Sequence, residues 1–203
     1  MSSFYFIECL SPTLVMLLQS HPLHSHIKSI LMTKQTTMKN WSGRTFRCVR
    51  PAFVSTQNLL SGEGASLSGG RWNPPISFRT NYCSITPGAA AEEAYRLFEE
   101  KGISRTAVGK RIIVPIYYEL HHMWDFSQFA NKHLHGIIQE ALQDNWESLN
   151  AQGKESLGQC LGRGIYELEA EAFLIPSARV PGGVTLVTFP ERFHEESFVI
   201  VEN

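Results

Sequence analysis

An excess of charge of one sign is missing from this chain: 18 Lys and Arg stand against 19 Asp and Glu, a formal −1 over 203 residues. Nucleic acid or an acidic membrane surface therefore meets no general electrostatic attraction, and direct binding to either is disfavoured. Cysteine pairing is missing too. Cys9, Cys48, Cys83 and Cys160 are scattered with no Cys-x-x-Cys spacing, which argues against a disulfide framework and a zinc site and reads as a reducing, cytoplasmic protein. The histidines lack company: His21, His24 and His26 cluster early, and His121, His122, His133 and His135 lie mid-chain. Neither group has the acidic or cysteine neighbours that a divalent ion wants, and adjacent His121 and His122 point apart on a strand or a helix, so no metal is expected. The most apolar early stretch, Phe4 to Leu18, is too short to span a membrane. Glu8, Pro12, the absence of a basic start and the absence of a small-residue cleavage motif also set it apart from a signal peptide.

Two phosphate-binding signatures are begun and not completed. Leu60 to Pro74 reads LSGEGASLSGGRWNP. A Walker loop would close on Gly-Lys-Ser/Thr, but Gly70 precedes Arg71 and Trp72. A dinucleotide fingerprint would place a third glycine at 67, where Leu67 stands, and Asn73-Pro74-Pro75 forbids the helix that should follow. What is present is a stretch in which Gly62, Gly64, Gly69 and Gly70 permit positive φ and close backbone approach, with one cation, Arg71, beside one large aromatic, Trp72. That combination suits an anionic, phosphate-bearing small molecule. A tight structural hairpin is the plain alternative.

With 43% hydrophobic and 18% charged residues, the chain can bury one core as a single domain. Thr45 to Val49 reads as an early strand carrying Arg47, ended by Arg50-Pro51. Tyr82 to Ile85 is a short strand. Thr86 and Pro87 then open a helix as N-cap and first helical residue, and the helix runs through AAAEEAYRLFEEK to Gly102. At 100° per residue Glu92 falls beside Arg96 and Glu99 on the polar face, whereas Glu93 falls beside Ala90 and Leu97 at the apolar edge. An inward carboxylate needs partners or work: Glu93 either forms a structural salt bridge with Arg71 or Arg47, or it does chemistry. Further on, Arg111 to Tyr118 reads as a strand that Pro115 places near an edge. Gln128 to Leu149 reads as one or two helices, Gly153 to Gly164 as a turn region where another helix begins. Phe173 to Pro176, Val184 to Phe189 and Phe198 to Val201 read as strands. Strands and helices without βαβ regularity indicate an α+β class with mixed, largely antiparallel sheets and flanking helices.

LSGEGASLSGGRWNPP, with Phe46-Arg47 before it, Asn81-Tyr82-Cys83-Ser84 after it and then the helix carrying Glu93, resembles the RES domain, the toxin half of bacterial RES–Xre toxin–antitoxin pairs. The resemblance runs from about Gly43 to the C-terminus and is strongest between Arg47 and Glu93. It divides the chain into an N-terminal extension, 1–41, and a RES domain, 42–203. For the extension two readings stay open: a start mis-assigned upstream of Met32 or Met38, or a short helix packing on the domain.

The resemblance implies a fold similar to ADP-ribosyltransferases and an enzyme that depletes NAD by cleaving its nicotinamide–ribose bond, with NAD as substrate and no cofactor. Glu93 is then the catalytic acid and Arg47 its companion. The NAD site would be formed by Arg71, Tyr82, Gly62, Glu63, Gly64, Gly70, Trp72 and Gln159, with Arg47 and Arg71 on phosphates or ribose hydroxyls and Tyr82 against the nicotinamide or in the pocket wall. Two serines compete for the family serine. Ser177 in Ile175-Pro176-Ser177 matches the usual Val-Pro-Ser position, and Ser156, three residues before Gln159, matches a position used in a mycobacterial branch; either could simply cap a helix or a turn. The tail TLVTFPERFHEESF departs from the Asn-rich ending of many members, which leaves the acceptor open: water, inorganic phosphate or a protein side chain. The implied partners are an Xre-type helix-turn-helix antitoxin that occludes the site and a second toxin copy in a homodimer. A protein-modifying ADP-ribosyltransferase and a catalytically idle binding module are the alternatives.

Overall fold

The computed structural model describes residues 18–128 and 132–202, the side chains of residues 97, 132 and 133 excepted. The apolar stretch from Phe4 therefore lies outside the described residues up to position 17. In chain order the elements are α1 (His24–Met32), β1 (Lys39–Val49), α2 (Thr56–Leu60), α3 (Glu63–Ser68), β2 (Asn81–Ser84), α4 (Pro87–Glu99), β3 (Ile112–Asp125), α5 (Lys132–Gln143), α6 (Trp146–Ala151), α7 (Leu157–Glu167), β4 (Ala172–Pro176), β5 (Val184–Thr188) and β6 (Phe198–Val201).

The strands form one six-stranded sheet in the order β1-β2-β5-β4-β3-β6, and β1 also pairs with β3, so the sheet curls back on itself. Every pairing is antiparallel except β3 with β4. This is the expected α+β class. Inside the curl, alternate residues of β3, Val114, Ile116, Tyr118 and Leu120, pack with Cys83, Leu174 and Leu186, as the two-residue period of a strand requires. A second cluster, built on Trp72, Trp124 and Phe173, is covered by α1, α5 and α7.

Two sequence expectations change. Pro115 does not mark an edge: β3 has β1 along one side and β6 and β4 along the other. The proline is tolerated because its carbonyl faces β6, where it accepts from the Glu202 amide at 3.0 Å. Its missing N–H faces the same way, beyond the last β6 pair, Ile116 with Val201, so the β1 ladder loses nothing. Second, β1 begins at Lys39, so a boundary after residue 41 falls inside a strand. The region before it packs on the domain. Ile27 and Leu31 of α1 are fully buried in the cluster with α7, the His21 amide donates to Glu155 at 2.8 Å, and Glu155 is held bidentately by Arg163 at 2.7 Å.

The helix that carries Glu93 begins and ends as its sequence indicates. The Thr86 hydroxyl accepts from the Ala89 amide at 3.2 Å, with Pro87 in the first turn. Gly102 takes φ +74° while the Ile103 amide reaches back to the Phe98 carbonyl, a left-handed glycine stop.

Candidate active site

A cleft of about 510 Å³ opens where β1, the glycine-rich segment, α4 and the β4–β5 turn converge. Arg47 comes from β1, Gly64, Gly70, Arg71 and Trp72 from the glycine-rich segment, Tyr82 from β2, Glu93 from α4 and Thr185 from β5, and all of them line it. Glu93 is the one carboxylate among the described residues of its lining.

Glu93 forms neither of the salt bridges open to it on sequence grounds; among the described residues it makes no ion pair with Arg47 or Arg71. Its Oε1 instead accepts from the Ser177 hydroxyl at 2.5 Å and the Thr185 hydroxyl at 3.2 Å. The Ser177 oxygen in turn accepts from the amides of Arg179 at 3.2 Å and Val180 at 3.0 Å. The serine is thereby fixed from both sides, and it fixes the carboxylate rotamer. Glu92, one residue earlier, faces outward and pairs with Arg105 at 2.7 Å.

The two candidate serines separate cleanly. Ser156 is fully buried as the N-cap of α7, where its hydroxyl accepts from the Gln159 amide at 3.2 Å and the Gln159 side chain accepts from the Ser156 amide at 3.1 Å. This reciprocal capping box leaves Ser156 outside the cleft lining. Gln159 is likewise fully buried. Its Nε2 donates to the Gly70 carbonyl at 3.1 Å and to the Asn73 carbonyl at 3.3 Å. It holds the glycine-rich segment from behind and lines no part of the cleft.

The glycine-rich segment is a short helix between two positive-φ glycines, followed by a tight turn in which the Gly70 amide donates to the Asn73 carbonyl at 2.9 Å and the Asn73 amide to the Gly70 carbonyl at 3.4 Å. Gly62 has φ +68° and Gly69 φ +74°, whereas Gly64 lies within α3. At Gly70 the need is space: a Cβ there would stand 2.6 Å from the Tyr82 hydroxyl. That hydroxyl donates to Asn73 Oδ1 at 2.6 Å and accepts from the Trp72 amide at 3.1 Å. Tyr82 therefore secures the loop with its polar end while its ring walls the cleft, and burial pushes its phenol well above the ordinary value. Trp72 is 3% exposed and serves the core beneath the cleft, edge-on to Phe173 at 5.9 Å. Glu63 sits in the first turn of α3, more than half exposed, 3.6 Å from Arg79.

Arg71 and Arg47 donate to backbone carbonyls, whereas Arg179 pairs with the Glu100 carboxylate, 3.1 Å from its Nε. Arg71 Nη1 donates to Ala141 at 2.8 Å and Asp144 at 2.9 Å, at the C-terminal end of α5, where helix carbonyls lack partners. Its Nε is buried without a partner. Burial, and then the neighbouring Arg179, lower the Arg71 pKa, the pattern of two guanidiniums crowded round one space. Arg47 Nη1 donates to the Leu59 carbonyl and to Asn81 Oδ1 at 3.1 Å. Sequence reasoning missed Arg179, Thr185 and Asn73. Arg179 follows Ser177 by two residues and Asn73 lies inside the glycine-rich motif, so both stood beside a recognised signal. Thr185 gave none, because it looks like any β-branched strand residue.

Curled sheet, cleft and motif together define a class: the chain belongs to the RES domain family, whose model matches residues 44–201. Among its relatives is NAD(+) phosphorylase MbcT of Mycobacterium bovis and of Mycobacterium tuberculosis strain H37Rv, 26% identical over 137 residues. That alignment covers 64% of this chain and 66% of the relative, so the chain spans just under two thirds of the curated relatives it matches. A crystal structure of the M. tuberculosis MbcT–MbcA toxin–antitoxin complex shares the fold, with a TM-score of 0.68 over 87% of this chain and 89% of that one, at 20% identity.

Proposed function

We propose that this chain cleaves the nicotinamide–ribose bond of NAD and passes the ADP-ribosyl group to inorganic phosphate, as the toxin of a toxin–antitoxin pair. The observation that carries the reading is the Glu93 carboxylate, held by Ser177 and Thr185 in a cleft also lined by Arg47, Arg71 and Arg179. The name of the mycobacterial relative supports phosphate as the acceptor.

Nicotinamide departs with the electron pair of the C–N bond and leaves positive charge on the ribose. Glu93 lies against that developing oxocarbenium and hydrogen-bonds a ribose hydroxyl, stabilising the transition state more than the substrate. Arg47 and Arg71 carry the diphosphate, and Arg179 helps to hold the incoming phosphate. A phosphate oxygen forms the new bond to the anomeric carbon, giving ADP-ribose 1″-phosphate and neutral nicotinamide. With water as acceptor the same site would yield ADP-ribose and a proton. Membership of the family further supports an Xre-type antitoxin covering the cleft, a toxin homodimer and a cytoplasmic place of action. Among the described residues no helix is long and apolar enough to cross a membrane.

The test is the fate of NAD with purified protein, with and without phosphate, beside Glu93→Gln. Phosphate-dependent NAD loss that falls by a factor of 100 or more in the variant, about 3 kcal/mol of transition-state stabilisation, is expected. Stable NAD with wild-type protein, or equal loss with the variant, refutes the reading.

A further inference from the structure

Beside the first cleft lies a second pocket of about 480 Å³, and Arg47, Cys48 and Tyr82 wall both. Each is of a size suited to part of a small-molecule ligand. The second pocket differs in chemistry. Arg50 and Arg111 join Arg47 in its lining, and its carboxylate, Glu63, is more than half exposed and faces Arg79. It also offers flat apolar surface. Phe53, on the 3₁₀ turn Pro51–Phe53 that follows β1, is 51% exposed although it is a large aromatic. The Arg111 guanidinium lies 4.9 Å above the Phe98 ring, and its Nε is buried without a hydrogen-bond partner. Burying a guanidinium N–H unsatisfied costs stability unless something else meets it.

Resting on the reading of NAD as substrate, we infer that the second pocket holds the adenosine half of the dinucleotide, with Phe53 and the Arg111–Phe98 pair as its specificity determinants. The orientation follows from charge and continuity. The bond to be cut must lie at Glu93, in the first cleft. Arg47 is the cation common to both pockets, where the diphosphate linking the two halves must pass. The adenosine end then has the second pocket to enter. An adenine ring stacks on an exposed aromatic or on the plane of a guanidinium whatever its hydrogen-bonding edge does, and the Arg111 guanidinium in the pocket lining supplies N–H donors for that edge or for a ribose oxygen.

The test compares NAD with nicotinamide mononucleotide, which carries the same scissile bond without adenosine, and measures ADP binding by calorimetry. The wild type should bind ADP and show a lower KM for NAD than for the mononucleotide. Phe53→Ala and Arg111→Gln should each weaken ADP about tenfold and raise the KM for NAD about as much, closing the gap to the mononucleotide while kcat for NAD changes little. Melting curves report folding of both variants, and Phe53 is exposed enough that its loss leaves the core intact. If NAD is cleaved but neither variant alters ADP affinity or KM, or if the wild type does not bind ADP, the assignment is overturned. If ADP binds and both variants weaken it while NAD is stable, the subsite stands and the proposed reaction falls.

Discussion

Helix α7 carries two glycines, four residues apart, whose absent side chains set the position of the active-site loop. A Cβ at Gly158 would stand 2.6 Å from the Arg71 carbonyl oxygen. One at Gly162 would overlap the Trp72 carbonyl oxygen outright and come within 2.8 Å of its carbon. Ordinary Cβ contacts begin near 3.4 Å, so Gly162→Ala must move α7 or the Arg71–Trp72 backbone by about 0.6 Å for the carbon and by more for the oxygen. Neither can yield locally, because Gln159 ties the same segment to the helix and Trp72 is locked in the core. Overpacking of this kind costs roughly 1–3 kcal/mol or more, against which the better helix propensity of alanine returns at most about 1 kcal/mol. A net loss of about 2 kcal/mol is expected, a fall of roughly 4–8 °C in Tm for a chain of this size. Gly164→Ala is the internal control. Its added Cβ would meet the end of the Leu31 side chain at 3.2 Å, which can turn aside, so stability should hold or rise by up to about 1 kcal/mol. Urea unfolding followed by tryptophan fluorescence measures both, with unchanged m-values as the check on comparability. Equal stability of the two variants would falsify the close approach of α7 to the loop.

Three further outcomes are expected. Leu31→Ala should cost about 2–5 kcal/mol, since Leu31 is fully buried against α7; a chain begun at Met32 that melts at the same temperature as the full chain would refute the structural part given to α1. Ser156→Ala should lose a cap, about 0.5–2 kcal/mol, with turnover per folded molecule kept, whereas Ser177→Ala should lower turnover by roughly tenfold or more by releasing Glu93; the reverse pattern would return Ser156 to the site. Glu171 is fully buried, and although burial alone would raise its pKa, hydrogen bonds, those from the amides of His121, His122 and His194 among them, hold it below its ordinary value of 4.5. A depressed folded-state value means stabilisation complete above the unfolded-state value and lost as the pH falls through the folded one. Tm should therefore drop on acidification below about 4.5, and an acid slope in Glu171→Gln as steep as in the wild type would exclude this carboxylate as the cause.

Local chemistry made the start of the fold legible. The Thr86-Pro87 cap and the Gly102 stop are decided within a few residues, and each leaves its mark in the sequence. The misread strand depends on partners far along the chain. Whether a strand holding Pro115 is an edge depends on where β6 ends, more than eighty residues later, and no window around Pro115 contains that information. The extension stays open between two readings for the same reason: Ile27 and Leu31 are buried only because α7, far along the chain, supplies the surface that covers them.

The site shows the same division more sharply, because a motif identifies residues without distributing the work among them. Gln159 and Glu93 are both polar residues directed into the fold. One is spent on carbonyls of the glycine-rich segment and on the Ser156 cap, the other on hydroxyls at the cleft wall. Helical periodicity separates Glu93 from Glu92 because that difference is one of angle on a single helix. It cannot separate Ser156 from Ser177, because both are short hydroxyls at a turn and only the neighbour differs: a helix N-terminus for one, a carboxylate for the other. Arg71 is the hardest case. A cation beside glycines signals an anion site, yet one nitrogen of its guanidinium, Nη1, is committed to the Ala141 and Asp144 carbonyls. That commitment is what makes it useful, since an arginine fixed at one nitrogen presents the remainder to a ligand with little rotamer entropy left to lose.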